Sequence, residues 1–274
     1  MELSENDINE LLGDPIVEES STPEQVETPD FKLNPLPEIS DGVSRFSGAD
    51  WFKEVDNADV TLAGLGGIGS WAGLLLARLG INSLSLYDND TVEAANRSGQ
   101  LYGENELRST KASALYRIIM NFTGNSVRTY ARDSLWSRDT GTASPIMICG
   151  FDNMNSRREY FQSWKKLAER SPNKDQLLFI DGRLNFNEFQ IYCLTGNDTY
   201  NIEKYEKECL FDDSEAENVV CSLKQTSHCA AMIGSMITNL FVNFISNKSS
   251  EDSYKQLPFK TYYNSDMMLL TTEL

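Results

Sequence analysis

Val60-Thr61-Leu62-Ala63-Gly64-Leu65-Gly66-Gly67-Ile68-Gly69-Ser70 decides the fold. A short apolar run, the mark of a strand buried on both faces, leads without a linker into glycines spaced G-x-G-x-x-G and then into a helical pattern. Gly64, Gly66 and Gly69 serve a tight turn, a close approach of backbone to phosphate, and close packing of helix on strand. Phosphate then sits on the free N–H groups that open the helix. An acid follows where a ribose partner belongs: Asp88 closes the run Leu84-Ser85-Leu86-Tyr87, nineteen residues after Gly69. The turn therefore predicts a nucleotide site, and the fingerprint alone suits NAD as a ligand.

Working outward, β-branched and apolar runs near 59–64, 82–87, 126–131, 145–150 and 177–181 predict strands, with helices between them near 68–79, 104–122 and 153–169. This alternation predicts an α/β fold with a doubly wound, mainly parallel, Rossmann-like sheet. A short amphipathic helix is expected at 48–56. After Asp181 the pattern changes: 188–194 alternates like an antiparallel strand, 200–209 reads as a charged helix, 222–246 as a long apolar helix, and 259–272 as extended chain. The expected organisation is an acidic tail over 1–42, a nucleotide-binding core over 58–181, and a smaller closing section over 182–274.

Composition narrows the class. The 274 residues carry 24 Lys and Arg against 41 Asp and Glu, a net charge of −17. Twelve of the acids and a single lysine fall in 1–42, which is also poor in aromatics and rich in Pro, Ser and Thr. Such a segment cannot bury enough apolar area to offset its ordering entropy, so it is expected to be disordered. Ile8, Leu11 and Leu12 within it could form a transient docking helix. The remaining 23 basic and 29 acidic residues lack the excess of cations that nucleic-acid binding needs. The N-terminus has no secretory pattern, and the apolar stretch from Cys229 to Ile245 is interrupted by Ser235, Thr238, Asn239 and Asn243, so neither export nor a membrane span is expected. Five cysteines, at 149, 193, 209, 221 and 229, form no C-x-x-C pair, which fits a reducing cytoplasm and no structural zinc.

Further motifs select the chemistry. Asp88-Asn89-Asp90-Thr91-Val92, then Asn96, Gln100 and Lys111, then Cys149-Gly150-Phe151-Asp152-Asn153 with Arg157, and upstream Ser44-Arg45-Phe46, follow one another in order. With the glycine turn, this series over about 44–170 resembles the ubiquitin-activating-like (ThiF/MoeB/E1) adenylyltransferase family. Beyond 181 the resemblance rests on Asp181-Gly182-Arg183 and Cys221-Ser222-Leu223.

The resemblance implies attack of a carboxylate on the α-phosphate of ATP with release of pyrophosphate, the carboxylate belonging to a small ubiquitin-like or sulfur-carrier protein. It implies ATP and Mg²⁺, backbone donors from Gly66 to Ser70, Asp88 on the ribose, Asn96, Gln100 and Lys111 about the phosphates, and Asp152 at the metal or α-phosphate. Arg45 matches an arginine that reaches across a homodimer interface. The series departs from the family at Gly99, where an arginine precedes the glutamine, and carries Arg97 two positions earlier. Cys221 reads in two ways, as a helix-start cysteine of the core or as a thioester acceptor whose thiolate the helix dipole and Lys224 favour. Cys149 and Cys229 read as inert core, and His228 as a polar residue two turns along the same helix. A nicotinamide-dependent oxidoreductase and a catalytically silent nucleotide-binding scaffold are the alternatives.

Overall fold

The computed structural model describes residues 43, 45, 46, 48–211, 225–249 and 254–274. The expected tail over 1–42, Ser44, and Cys221 with its neighbours Ser222, Leu223 and Lys224 lie outside the described residues. Helix α1 (Phe52–Val55) is a single turn, shorter than the 48–56 expected, and precedes strand β1 (Asp59–Ala63). Then come α2 (Gly67–Arg78), β2 (Ser83–Tyr87), α3 (Lys111–Thr123), β3 (Arg128–Arg132), β4 (Ile146–Cys149), α4 (Met154–Arg170) and β5 (Leu178–Asn185). The second half adds β6 (Glu188–Thr195), α5 (Thr199–Lys204), a π-helical turn over Tyr205–Cys209, α6 (Ser227–Ser249), β7 (Lys260–Asn264) and β8 (Leu269–Glu273).

These strands form one eight-stranded sheet in the order β3-β2-β1-β4-β5-β6-β7-β8. The first five run parallel, and β6, β7 and β8 are added antiparallel by pairing Ile180 with Cys193, Ile191 with Thr261, and Thr261 with Thr272. The expected mainly parallel, doubly wound sheet is thus present, and it continues unbroken through Asp181 because β5 extends to Asn185 and turns directly into β6.

Alternation explains why the central strands read as uninterrupted apolar runs. In β4, Ile146 and Ile148 enter the core that holds Leu115 of α3 and Ile233, Ile237 and Phe241 of α6. Met147 and Cys149 enter the opposite core with Tyr160, Phe161 and Trp164 of α4. Both faces are covered, so every position is apolar. No helix joins β3 to β4; Trp136 from that connection fills the gap, packing edge-on to Tyr160 with ring centroids 4.8 Å apart. Helix α6 is long and apolar enough to cross a bilayer by length and composition, but its buried side lies on the sheet and on α2. At that crossing a Cβ on Gly234 would lie 2.7 Å from the Cβ of Trp71, so glycine there sets how closely the helices approach.

Two helices start later than their apolar patterns suggest. The expected helix over 104–122 is a 3₁₀ turn at Glu104–Glu106, a left-handed Arg108 (φ 67°), and only then α3 from Lys111. A bridge between Thr91 and Thr110 and the bond from the Lys111 N–H to the Asp90 carbonyl tie the chain down just before that helix. The expected 222–246 helix begins at Ser227, since Gln225 bridges Phe186 and the Thr226 hydroxyl donates to the Phe186 carbonyl at 3.1 Å. The helix thus starts later than the 222 expected, and Cys221, expected to open it, lies outside the described residues. The extended 259–272 segment is the β7–β8 hairpin.

Candidate nucleotide site

The strand order reverses between β1 and β4, and open α/β sheets bind ligands beyond the C-terminal ends of the strands at that reversal. The glycine turn lies there. Gly64 has φ 83°, and a Cβ on it would stand 2.5 Å from the Gly150 carbonyl carbon and 2.6 Å from the Phe151 nitrogen. A Cβ on Gly69 would overlap the Gly64 carbonyl oxygen, so these two glycines let β1, β4 and α2 meet backbone to backbone. Gly66 stands at the N-cap of α2, and no side chain caps the helix. The leading N–H groups of a twelve-residue helix, with the positive end of its dipole, face the crevice unsatisfied.

The other predicted residues gather around this turn. The buried Asp88 carboxylate accepts from the Leu65 N–H at 2.7 Å and the Asp90 N–H at 2.8 Å, so it braces the turn while keeping lone pairs for a ligand. Burial raises its pKa above the ordinary aspartate value, against the pull of Lys111 and its two backbone N–H bonds. Lys111, the first residue of α3, is buried and pairs with the mostly exposed Asp90 at 2.7 Å. The Tyr102 hydroxyl donates to the Leu65 carbonyl at 2.8 Å and lies 3.3 Å from the Lys111 carbonyl, tying the glycine turn to the start of α3. The Ser70 hydroxyl accepts from the Leu101 N–H at 3.1 Å, and Asn96 accepts from the Glu93 N–H at 2.8 Å. Gln100 is 8% exposed, and its Oε1 has no hydrogen-bond partner, a costly state unless a ligand or water answers it.

Asp152 follows Gly150 and Phe151 off the end of β4 and is exposed; Asn153 beside it caps α4 by accepting from the Ser156 N–H at 2.8 Å. Behind it stands a buried charge cluster. Arg157 pairs with the fully buried Asp181 and donates to the Gly182 carbonyl at 3.0 Å. Arg183 meets the other Asp181 oxygen at 2.8 Å, and the Tyr205 hydroxyl donates to it at 2.9 Å. Burial alone would raise the Asp181 pKa, yet the two guanidiniums hold it below its ordinary value.

Not every predicted residue belongs to this assembly. Arg45 is exposed, and Val43 in the same segment lies against Gly80, at the far end of α2 from the glycine turn. One chain does not bring Arg45 to its own site. Arg97 is engaged on the surface with Glu104. Cys149, Cys193, Cys209 and Cys229 are buried; burial pushes the Cys149 thiol far up and the Cys193 thiol up to about 12, so neither is a nucleophile. His228 is exposed, with its Nε2 3.5 Å from the Thr226 hydroxyl. Sequence reasoning missed Asp90 and Tyr102. The second acid of D-x-D signals Asp90, whereas a lone tyrosine gives no sign of its hydroxyl's target.

A magnesium ion fits this donor set in one way. Among the described residues no three His, Cys, Asp or Glu side chains enclose a metal, so Asp152 can hold the ion only where phosphate and water supply the remaining ligands, a usual arrangement for Mg²⁺.

Reversed strand order, an uncapped helix at a glycine turn, a buried acid after β2 and a lysine at the next helix start meet at one crevice of this α/β domain. The chain belongs to the ThiF family, whose model matches residues 41–272. It is 25% identical over 146 residues to ubiquitin-like modifier-activating enzyme 5 of Arabidopsis thaliana, covering 46% of this chain and 34% of that protein. It is 36% identical over 61 residues to tRNA threonylcarbamoyladenosine dehydratase of Escherichia coli, 22% of this chain and 23% of that one. The chain thus spans about a third or less of the curated relatives it matches. Among solved structures it shares the fold of PaaA (TM-score 0.64, 18% identity, 88% of this chain and 84% of that). It shares it also with E. coli MccB, solved with a form of MccA (TM-score 0.64, 17% identity, 88% and 72%) and with ATP (TM-score 0.60, 17% identity, 82% and 65%).

Proposed function

We propose that this protein adenylates a carboxylate with ATP and Mg²⁺, the carboxylate being the C-terminus of a small ubiquitin-like or sulfur-carrier protein. The observation that carries the reading is the junction of the uncapped α2 with Lys111 through Leu65, Tyr102 and Asp90. A site that joins two anions must offer positive potential, and this junction brings the open end of the α2 dipole and the Lys111 ammonium to one place. In this reading Gly66 to Ser70 line the phosphates with backbone N–H groups, Asp88 accepts from the ribose hydroxyls, and Lys111 leaves Asp90 for a phosphate oxygen. Asn96 and Gln100 bound the same space. Asp152 would hold a magnesium ion, which when bound would neutralise charge on the leaving pyrophosphate. The carboxylate oxygen forms the new bond to the α-phosphorus as the bond to the β-phosphate bridging oxygen breaks.

Family membership and the solved ATP complex of MccB favour ATP over a nicotinamide cofactor. Arg45, remote from its own chain's site, is proposed to act in a neighbouring copy of a homodimer. The protein is proposed to work in the cytoplasm. A thioester on Cys221 remains an additional proposal, independent of the helix-start argument.

The test is carrier-dependent ATP–pyrophosphate exchange. Lys111→Ala and Asp152→Ala should each lower exchange by about 10², the loss that accompanies removal of one preorganised charge. Both variants exchanging at the wild-type rate would overturn the assignment.

A further inference from the structure

Gly99 and Gly67 are both buried, and neither needs to be glycine for its backbone. Gly99 has φ −133° and ψ −26°, and Gly67 is the first residue of α2. The reason is room, and one side chain takes it. A Cβ on Gly99 would lie 2.6 Å from Cγ of Gln225 and 3.1 Å from its Cδ, and a Cβ on Gly67 would fall on the Gln225 amide oxygen. Gln225 is fixed from outside the nucleotide core: its backbone bridges Phe186 at the β5–β6 turn, and both the N–H and the hydroxyl of Thr226 donate to the Phe186 carbonyl, at 3.3 and 3.1 Å. Gly99 is held in turn by the Trp71 indole, which donates to its carbonyl at 3.3 Å.

Two glycines on separate segments thus clear a channel for one carboxamide, and the channel ends at the uncapped first turn of α2. The Gln225 amide has no hydrogen bond among the described residues, and it does not cap the helix it touches. Across the turn Gln100 presents its own unpartnered Oε1, with a Cβ on Gly66 lying 3.9 Å from its amide nitrogen. Gln225 is half-buried, so water can answer its amide until a ligand takes that place.

We propose that Gln225 is a phosphate-binding residue of the nucleotide site, reaching the first turn of α2 through the space left by Gly67 and Gly99 and donating its amide N–H to a phosphate oxygen. The inference rests on the reading of this crevice as an ATP site. It makes the strand-like segment entering α6 part of that site, and it supplies a donor without adding a charge.

The experiment measures binding of ATP with Mg²⁺, and of adenosine, to the full chain by calorimetry. Wild type binds ATP. Gln225→Ala should weaken ATP about tenfold, as expected for a hydrogen bond to a charged group, and leave adenosine unchanged. Gln225→Glu, of the same shape but anionic, should weaken ATP further. Gly99→Ala should also weaken ATP, because its methyl displaces Gln225, whereas Gly99→Ala in the Gln225→Ala background should cost nothing more. Equal ATP affinity in wild type and Gln225→Ala overturns the inference and leaves the ATP reading standing; equal losses for ATP and adenosine assign Gln225 a structural role and overturn it as well. Wild type failing to bind ATP overturns the reading of the site and this inference together.

Discussion

Replacing Gly64 by alanine tests the geometry on which the crevice depends. The residue lies at φ 83°, where an L side chain costs about 1–2 kcal/mol. Its Cβ would stand 2.5 Å from the Gly150 carbonyl carbon and 2.6 Å from the Phe151 nitrogen, backbone atoms that cannot rotate aside. The tips of β1 and β4 must therefore separate by something approaching an ångström, and overpacking of that kind costs about 1–3 kcal/mol more. The sum is about 2–5 kcal/mol, or roughly 10 °C in Tm for a domain of this size. Gly124 is the matched control: it too has positive φ, 57°, but nothing lies within 4 Å of its Cβ direction. Gly124→Ala should lower Tm by about 2–8 °C, the conformational part alone, and by less than Gly64→Ala. Calorimetric melting of the two variants decides it. Equal shifts, or a Gly64→Ala protein melting within about 2 °C of wild type, would refute the argument that β1 and β4 are joined by contact between their backbones.

Arg157→Ala should destabilise the fold by about 3–5 kcal/mol in denaturant unfolding, because it strips a partner from the buried Asp181; Lys165→Ala, on a more exposed pair, should cost no more than about 1 kcal/mol. Stability should also fall in acid through Asp181. Its folded pKa is below the ordinary 3.8, so its contribution is complete above that value and is lost as pH drops through the lowered one. The fall should be shallower in Asp181→Asn. Asp88 acts in the opposite sense, since its raised pKa makes the folded state take up a proton before the unfolded one does, and Asp88→Asn should abolish a small rise in stability between neutrality and pH 3.8.

The parts legible in the sequence are those governed by local pattern. Strands β1 and β4 announce themselves because both faces are buried, β2 by the alternation of Ser83 and Ser85 with Leu84 and Leu86, and Gly64, Asp88 and Lys111 because the spacing of the turn and the next two elements is short-range. The late start of α3 is not legible, since Leu107 and Arg108 look helical and only the Thr91–Thr110 bridge holds the helix back. The start of α6 fails for the same reason: Gln225 and Thr226 obey a contact with Phe186, about forty residues away in the chain. Gly67 and Gly99 are visible as glycines, but Gln225, which explains them, is adjacent only in space.

The seam between β1 and β4 also has a meaning in time. Val60 pairs with Leu84 on one side after a single crossover, but on the other side it must wait for Ile146, after β2, α3, β3 and a long connection. Strands β5 and β6, joined by a two-residue turn, pair almost as soon as they exist. Distant contacts pay their loop-closure entropy first and form slowly, so the halves of the sheet can order before they meet. The nucleotide crevice is made of that meeting. A chain can hold much of its secondary structure and still lack this crevice, which makes the proposed ATP binding a sharper measure of completed folding than helix or strand content.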